Sequence, residues 1–158
     1  MNRQTALLEP EASRHVTASI TQDPTTVSAG VEIPSDMKAA SAARRFAAAK
    51  LDEWGCTELE DDALLICSEL ATNAVVHGRT KPEGHNEHIR LDLTWRPGNA
   101  LIIQVEDNST AQPTPSNSAP SAESGRGLGL VASLADQWSF WLNRDGRGKR
   151  VWACLRPQ

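Results

Sequence analysis

The sequence has no tyrosine, only two phenylalanines and only three cysteines in 158 residues. Cys56, Cys67 and Cys154 are odd in number, scattered and without a C-x-x-C pair, which argues against a zinc site or a disulfide framework and points to the cytoplasm. No apolar run reaches membrane-spanning length, and Met1 to Asp23 has no signal-peptide core, so no membrane association is expected. Positive charge is in deficit. Against 20 Asp and Glu there are 16 Lys and Arg, a formal charge of -4, which disfavours direct nucleic-acid binding and suits a basic partner surface. Two common nucleotide motifs are also missing. No Gly-x-x-x-x-Gly-Lys-Ser/Thr occurs, and Gly146-Arg147-Gly148-Lys149 sits in a hairpin turn with no Ser or Thr after it. A Rossmann fingerprint needs a strand directly before its glycines, whereas the glycine-rich run here follows a Ser/Pro-rich stretch.

What is present is one domain's worth of chain with a distinctive helix. In Ser68-Glu69-Leu70-Ala71-Thr72-Asn73-Ala74-Val75-Val76-His77-Gly78 a carboxylate and a carboxamide stand one helical turn apart within an apolar run. Leu59, Ala63, Ile66, Leu70 and Ala74 form an apolar stripe, with Glu69 and Asn73 along one edge. Leu64, Leu65, Val75 and Val76 make most of the remaining circumference apolar, so little of this helix is expected to face water. A carboxylate placed there is read as a proton acceptor or a metal partner rather than as a solvated charge. His77 falls near the centre of the stripe and is expected to be packed or to complement the helix C-terminus, with Gly78 ending the helix.

Along the chain, residues 1–25 lack periodicity and are read as a flexible leader, followed by one domain over 26–158. Val27 to Ile33 alternates weakly before Pro34, as an edge strand does. Ser35 is expected to cap an Ala-rich helix from about Asp36 to Trp54, stopped by Gly55. The second helix starts near Leu59, with Glu58, Glu60, Asp61 and Asp62 at its positive end. Arg79 to His88 is a polar loop in which His85 and His88 are expected to be solvated. Ile89 to Trp95 and Leu101 to Val105 form a hairpin through Arg96-Pro97-Gly98-Asn99. Residues 108–124, rich in Ser, Pro and Thr, are a long loop and a lid candidate. Gln137 to Leu142 and Lys149 to Leu155 close the chain as two strands around Asp145-Gly146. Trp54, Trp95, Trp138, Trp141 and Trp152 are expected to anchor the core or an interface.

The run Gly125-Arg126-Gly127-Leu128-Gly129-Leu130 is read as a loop-to-helix junction, where exposed backbone N–H groups can meet an anion; alone it is weak evidence, and an ordinary flexible turn is the more frequent reading of such a run. Taken in order, Glu69 with Asn73 on a helix, Asp107 at a strand end, a long loop and a glycine-rich helix start resemble the ATP-binding (Bergerat) fold. That fold is shared by gyrase-type ATPases, heat-shock chaperones, mismatch-repair ATPases and histidine kinases, the GHKL group. The short chain looks most like the anti-sigma factor serine/threonine kinases and their stand-alone actinobacterial relatives, over about Val31 to Leu155.

The resemblance implies an α/β (α+β) two-layer sandwich, its mixed and mainly antiparallel sheet covered on one face by helices. It implies that Asn73 holds the magnesium ion bridging the ATP phosphates and that Glu69 is the general base. Asp107 would accept a hydrogen bond from the adenine amino group, with a strand-end turn acid as its alternative. Gly125, Gly127, Leu128 and Gly129 would close on the phosphates, and Arg126 would neutralise them or stay solvated. The wider family has glycines just after the adenine-binding acid, whereas Asn108-Ser109-Thr110 follow Asp107 here, so the backbone around the base is arranged differently. The implied partners are a sigma factor and an antagonist protein, and a homodimer is compatible. The rival reading is a non-catalytic ATP-binding interaction module. A two-component histidine kinase is disfavoured, because a leader of about 25 residues is too short for a phospho-accepting hairpin.

Overall fold

A computed structural model of the chain describes residues 25–82, 85–113 and 123–158. The leader 1–24 and the central part of the lid candidate, 114–122, lie outside these residues. The elements run β1 (Val27–Pro34), α1 (Ala39–Glu53), α2 (Glu60–His77), β2 (His88–Arg96), β3 (Ala100–Asp107), α3 (Glu123–Leu134), β4 (Gln137–Leu142) and β5 (Lys149–Leu155). This is the expected order. The sheet order is β1-β2-β3-β5-β4, and each of the four described pairings is antiparallel. β1 is indeed an edge, with Pro34 as its last residue.

Period-two alternation sorts the sheet into a helix-covered face and an open one. Ile89, Leu91, Leu93 and Trp95 of β2 are buried, as are Leu101, Ile103 and Val105 of β3 and Val151, Ala153 and Leu155 of β5. Against them pack the small residues Ala39, Ala43 and Ala47 of α1, with Leu51, and the stripe Leu59, Ala63, Ile66, Leu70 and Ala74 of α2, all buried. Alanines spaced four apart let α1 approach α2 closely, and Arg44 Nη1 donates to Ser68 Oγ across them at 2.7 Å. On the open face Arg150 pairs with Glu106 at 2.6 Å, and Trp141 tilts against Trp152 with centroids 6.2 Å apart. Of the five tryptophans only Trp95 is buried; Trp54 and Trp138 lean on the core from its margin.

Several local expectations change. Ser35 does not cap α1, which begins at Ala39 with Lys38 before it and no side-chain cap. The Ser35 N–H instead donates to the Glu87 carbonyl at 2.8 Å, extending the strand contact, while Asp36 Oδ1 accepts from the Lys38 N–H. The face of α2 that was expected to be covered is partly open: Leu65 and Val76 are 46% and 55% exposed. His77 is exposed rather than packed, because cover of the stripe ends before the last helical residues. That leaves it the role of a basic group at the helix C-terminus.

Candidate functional site

The site is built where the C-terminal end of α2 meets the end of β3. Glu69 and Asn73 lie one turn apart on α2, Glu69 half-buried and Asn73 only 7% exposed. Burial pushes the Glu69 carboxyl above its ordinary value, as a group intended to take up a proton near neutrality requires. No described group hydrogen-bonds the Asn73 amide. The amide oxygen of this largely buried carboxamide is a hard donor suited to magnesium.

Gly78 ends α2 with its N–H on the Ala74 carbonyl at 2.9 Å and φ of -101°. That is not the left-handed conformation for which helix-ending glycines are usually chosen. The requirement is space. A Cβ at Gly78 would run into the Asp107 carboxylate, so glycine is what allows β3 to bring that acid against the helix end.

Asp107 is buried, 3% exposed, and is less free than an adenine contact was expected to be. Its Oδ1 accepts the Ser109 N–H at 2.9 Å, the strand-end turn foreseen as the alternative, and also the Lys149 ammonium at 3.0 Å. Its Oδ2 faces Gly78 and receives no donor among the described residues. Burial raises the Asp107 carboxyl, the hydrogen bond and charge of Lys149 and the Ser109 N–H pull it down, and the net shift is upward. Lys149 opposes Asp107 in the β3–β5 register and is 1% exposed. The signal for it was visible: Lys149 continues the buried row Val151, Ala153, Leu155, just as Asp107 continues Leu101, Ile103, Val105.

Glu87, just before β2, is a second buried carboxylate that sequence reasoning missed, since a glutamate in a polar loop carries no periodic signal. It accepts from the Thr80 N–H at 2.9 and 3.1 Å, Thr80 Oγ1 at 2.6 Å, the Lys81 N–H at 3.2 Å and Asn108 Nδ2 at 3.2 Å. Burial alone would raise its carboxyl, but these bonds outweigh it and hold the group at about 2. The chain leaving α2 is thereby tied to the residue that follows Asp107.

The glycine run lies differently from its expected place. α3 begins at Glu123, so Gly125, Arg126, Gly127, Leu128 and Gly129 fall within its first two turns rather than at a loop junction. Leu128 is buried in the core and Gly129 is exposed. α3 as an element packs against α2, the helix that carries Glu69 and Asn73. Among the described residues there is no group of three or more His, Cys, Asp or Glu able to hold a metal, so a metal here would rely on Asn73 and on its ligand. The three cysteines are buried free thiols, each raised by burial, Cys67 up to about 12. No described helix is long and apolar enough to cross a membrane.

Residues 33–155 match the family described as the histidine kinase-like ATPase domain. No curated protein matches the chain. Among solved structures, it resembles the RsbU and RsbW domains of Rv1364c from Mycobacterium tuberculosis, with a TM-score of 0.59 and 18% identity over 81% of this chain. It spans only 32% of that longer chain. It also resembles the SiaB–SiaC complex from Pseudomonas aeruginosa, with a TM-score of 0.58 and 13% identity over 94% of this chain and 99% of the other. At such identities the likeness is one of fold; the match over most of the sequence places the chain in the histidine kinase-like ATPase family.

Proposed function

We propose that this histidine kinase-like ATPase domain is a cytoplasmic, ATP-dependent protein serine/threonine kinase of the anti-sigma-factor type. In this reading it phosphorylates an antagonist protein and, in its other state, sequesters a sigma factor. The observation that carries the reading is the α2 pair: a half-buried carboxylate with a raised pKa, one turn before a buried carboxamide that accepts and donates no hydrogen bond among the described residues. These residues fit magnesium-ATP. Once bound, the nucleotide supplies the transferable phosphoryl group and the metal offsets its charge.

Each residue then has a task. Asn73 holds the metal through its amide oxygen. Glu69 accepts the proton of the attacking serine or threonine hydroxyl. Gly125, Arg126, Gly127, Leu128 and Gly129 line the phosphates, and Asp107 offers Oδ2 to the adenine amino group. Leu65 and Val76, four residues before and seven after Glu69 on the same helical face, are exposed apolar groups. Apolar exposure beside the base supports a protein as the phosphoryl acceptor.

A second reading, a non-catalytic ATP-binding regulator acting by protein contact, is favoured by the Asp107 carboxylate, whose Oδ1 is already committed to Lys149 and Ser109. Calorimetric titration with ATP, with and without magnesium, run beside labelled-phosphate transfer from ATP to a purified antagonist protein, separates the two. Magnesium-dependent binding with transfer supports the kinase. Binding without transfer supports the regulator, and no binding removes both.

A further inference from the structure

Lys149 heads the largest fully buried side chains of the described residues, an unusual place for an ammonium. Its Nζ donates to Asp107 Oδ1 at 3.0 Å and to the Ser109 carbonyl at 3.4 Å. A cation so deeply buried is costly unless its partners are fixed. Here they are. Asp107 stands directly across the β3–β5 ladder, and Gly148, with φ of +85°, lets the turn before Lys149 pass so close to the Asp107 carbonyl that a Cβ would collide with it. The two oxygens of Asp107 are therefore unequal: Oδ1 is saturated by Lys149 and Ser109, and Oδ2, against Gly78, has no described donor.

We infer that Lys149 is the positioning residue of the base-reading site: it pins Asp107 through Oδ1, leaving Oδ2 as the single acceptor for the amino group of adenine, and through Ser109 it pins the root of the following loop. The inference rests on the reading of this chain as an ATP-binding domain. In this arrangement Lys149, 1% exposed, acts through Asp107 Oδ1 rather than on the base itself. A salt bridge that served folding alone would leave base selectivity and its pH profile unmoved.

The test compares Lys149→Met, which keeps the length but not the charge, with Lys149→Arg, which keeps the charge. Among the described residues the charged groups acting on Asp107 are Lys149 from β5 and Glu87 ahead of β2, while Gly78, just past the end of α2, meets it without charge. With Lys149 neutralised, burial and Glu87 both keep a proton on Asp107 to higher pH, and a protonated carboxyl is no longer a pure acceptor. In Lys149→Met the ATP affinity at neutral pH should fall by about tenfold, as expected for one lost polar contact to a charged group. It should recover as the pH is raised, and the preference for ATP over GTP should shrink by a similar factor. Lys149→Arg should retain both. Carboxyl NMR without nucleotide should show Asp107 titrating at higher pH in Lys149→Met.

A folded Lys149→Met variant with parental ATP affinity, pH profile and ATP-to-GTP ratio overturns the inference while leaving ATP binding in place. A parent that binds no nucleotide overturns the ATP-binding reading and the base-reading role with it. Should Lys149→Met not fold, the double variant Asp107→Asn with Lys149→Met removes both buried charges together. It should fold and bind ATP and GTP alike, and a double variant that keeps the parental preference for ATP overturns the inference.

Discussion

Glu87→Gln is the substitution whose consequence can be worked furthest. The Glu87 carboxylate accepts from two backbone N–H groups, one hydroxyl and one amide, and these hold it at about 2 against an ordinary 4.5. A depression of that size corresponds to about 3 kcal/mol of stability at neutral pH. Glutamine keeps the volume but turns one acceptor oxygen into an amino group, which must face the Thr80 or Lys81 N–H. The expected loss is therefore about 2–3 kcal/mol, or a fall in Tm of about 4–12 °C for a domain of this size. The sign with pH follows from the lowered value. The contribution is full above the unfolded pKa of Glu87, declines as pH falls below about 4.5 and is gone near 2. Thermal melts of parent and variant at a series of pH values between about 7 and 2.5 should show the gap in Tm closing toward the acid end. A gap that stays constant over this range, or no gap at neutral pH, would refute the assignment of Glu87 as the charged centre of this knot.

Asn73→Ala should abolish magnesium-dependent ATP binding and leave the melting temperature nearly unchanged, because the amide it removes has no hydrogen bond among the described residues to lose; calorimetry with and without magnesium checks it. Glu69→Gln should keep nucleotide binding and lose phosphoryl transfer by roughly 10²-fold or more. In the parent, the acid limb of the transfer profile should lie above the ordinary glutamate value, since burial raises this carboxyl. Gly78→Ala should destabilise the domain by about 1–3 kcal/mol, as overpacking does, because its Cβ meets Asp107 rather than a flexible chain end; denaturant titration measures it, and a stability equal to the parent would show that the helix end moves aside freely.

Local periodicity was enough to lay out most of the fold. The apolar stripe of α2, the alternation in β2, β3 and β5, and the glycines at 55, 98 and 146 each describe neighbours along the chain, and all three glycines take the positive φ their turns need. The half-buried edge carrying Glu69 and Asn73 was legible for the same reason, since helical angle follows from residue number alone. Ser35, His77 and the start of α3 were misread where the same local rules met the end of an element, because what covers an end is supplied by other segments. Lys149 and Asp107 are 42 residues apart, and only the register of β3 on β5 makes them a pair. Glu87 likewise gains its meaning from the Thr80 backbone and from Asn108, which a separate strand delivers. Sequence determined which faces are apolar, because that depends on spacing; tertiary structure decided which buried charges meet, because burying a charge is affordable only where packing brings its partner to it.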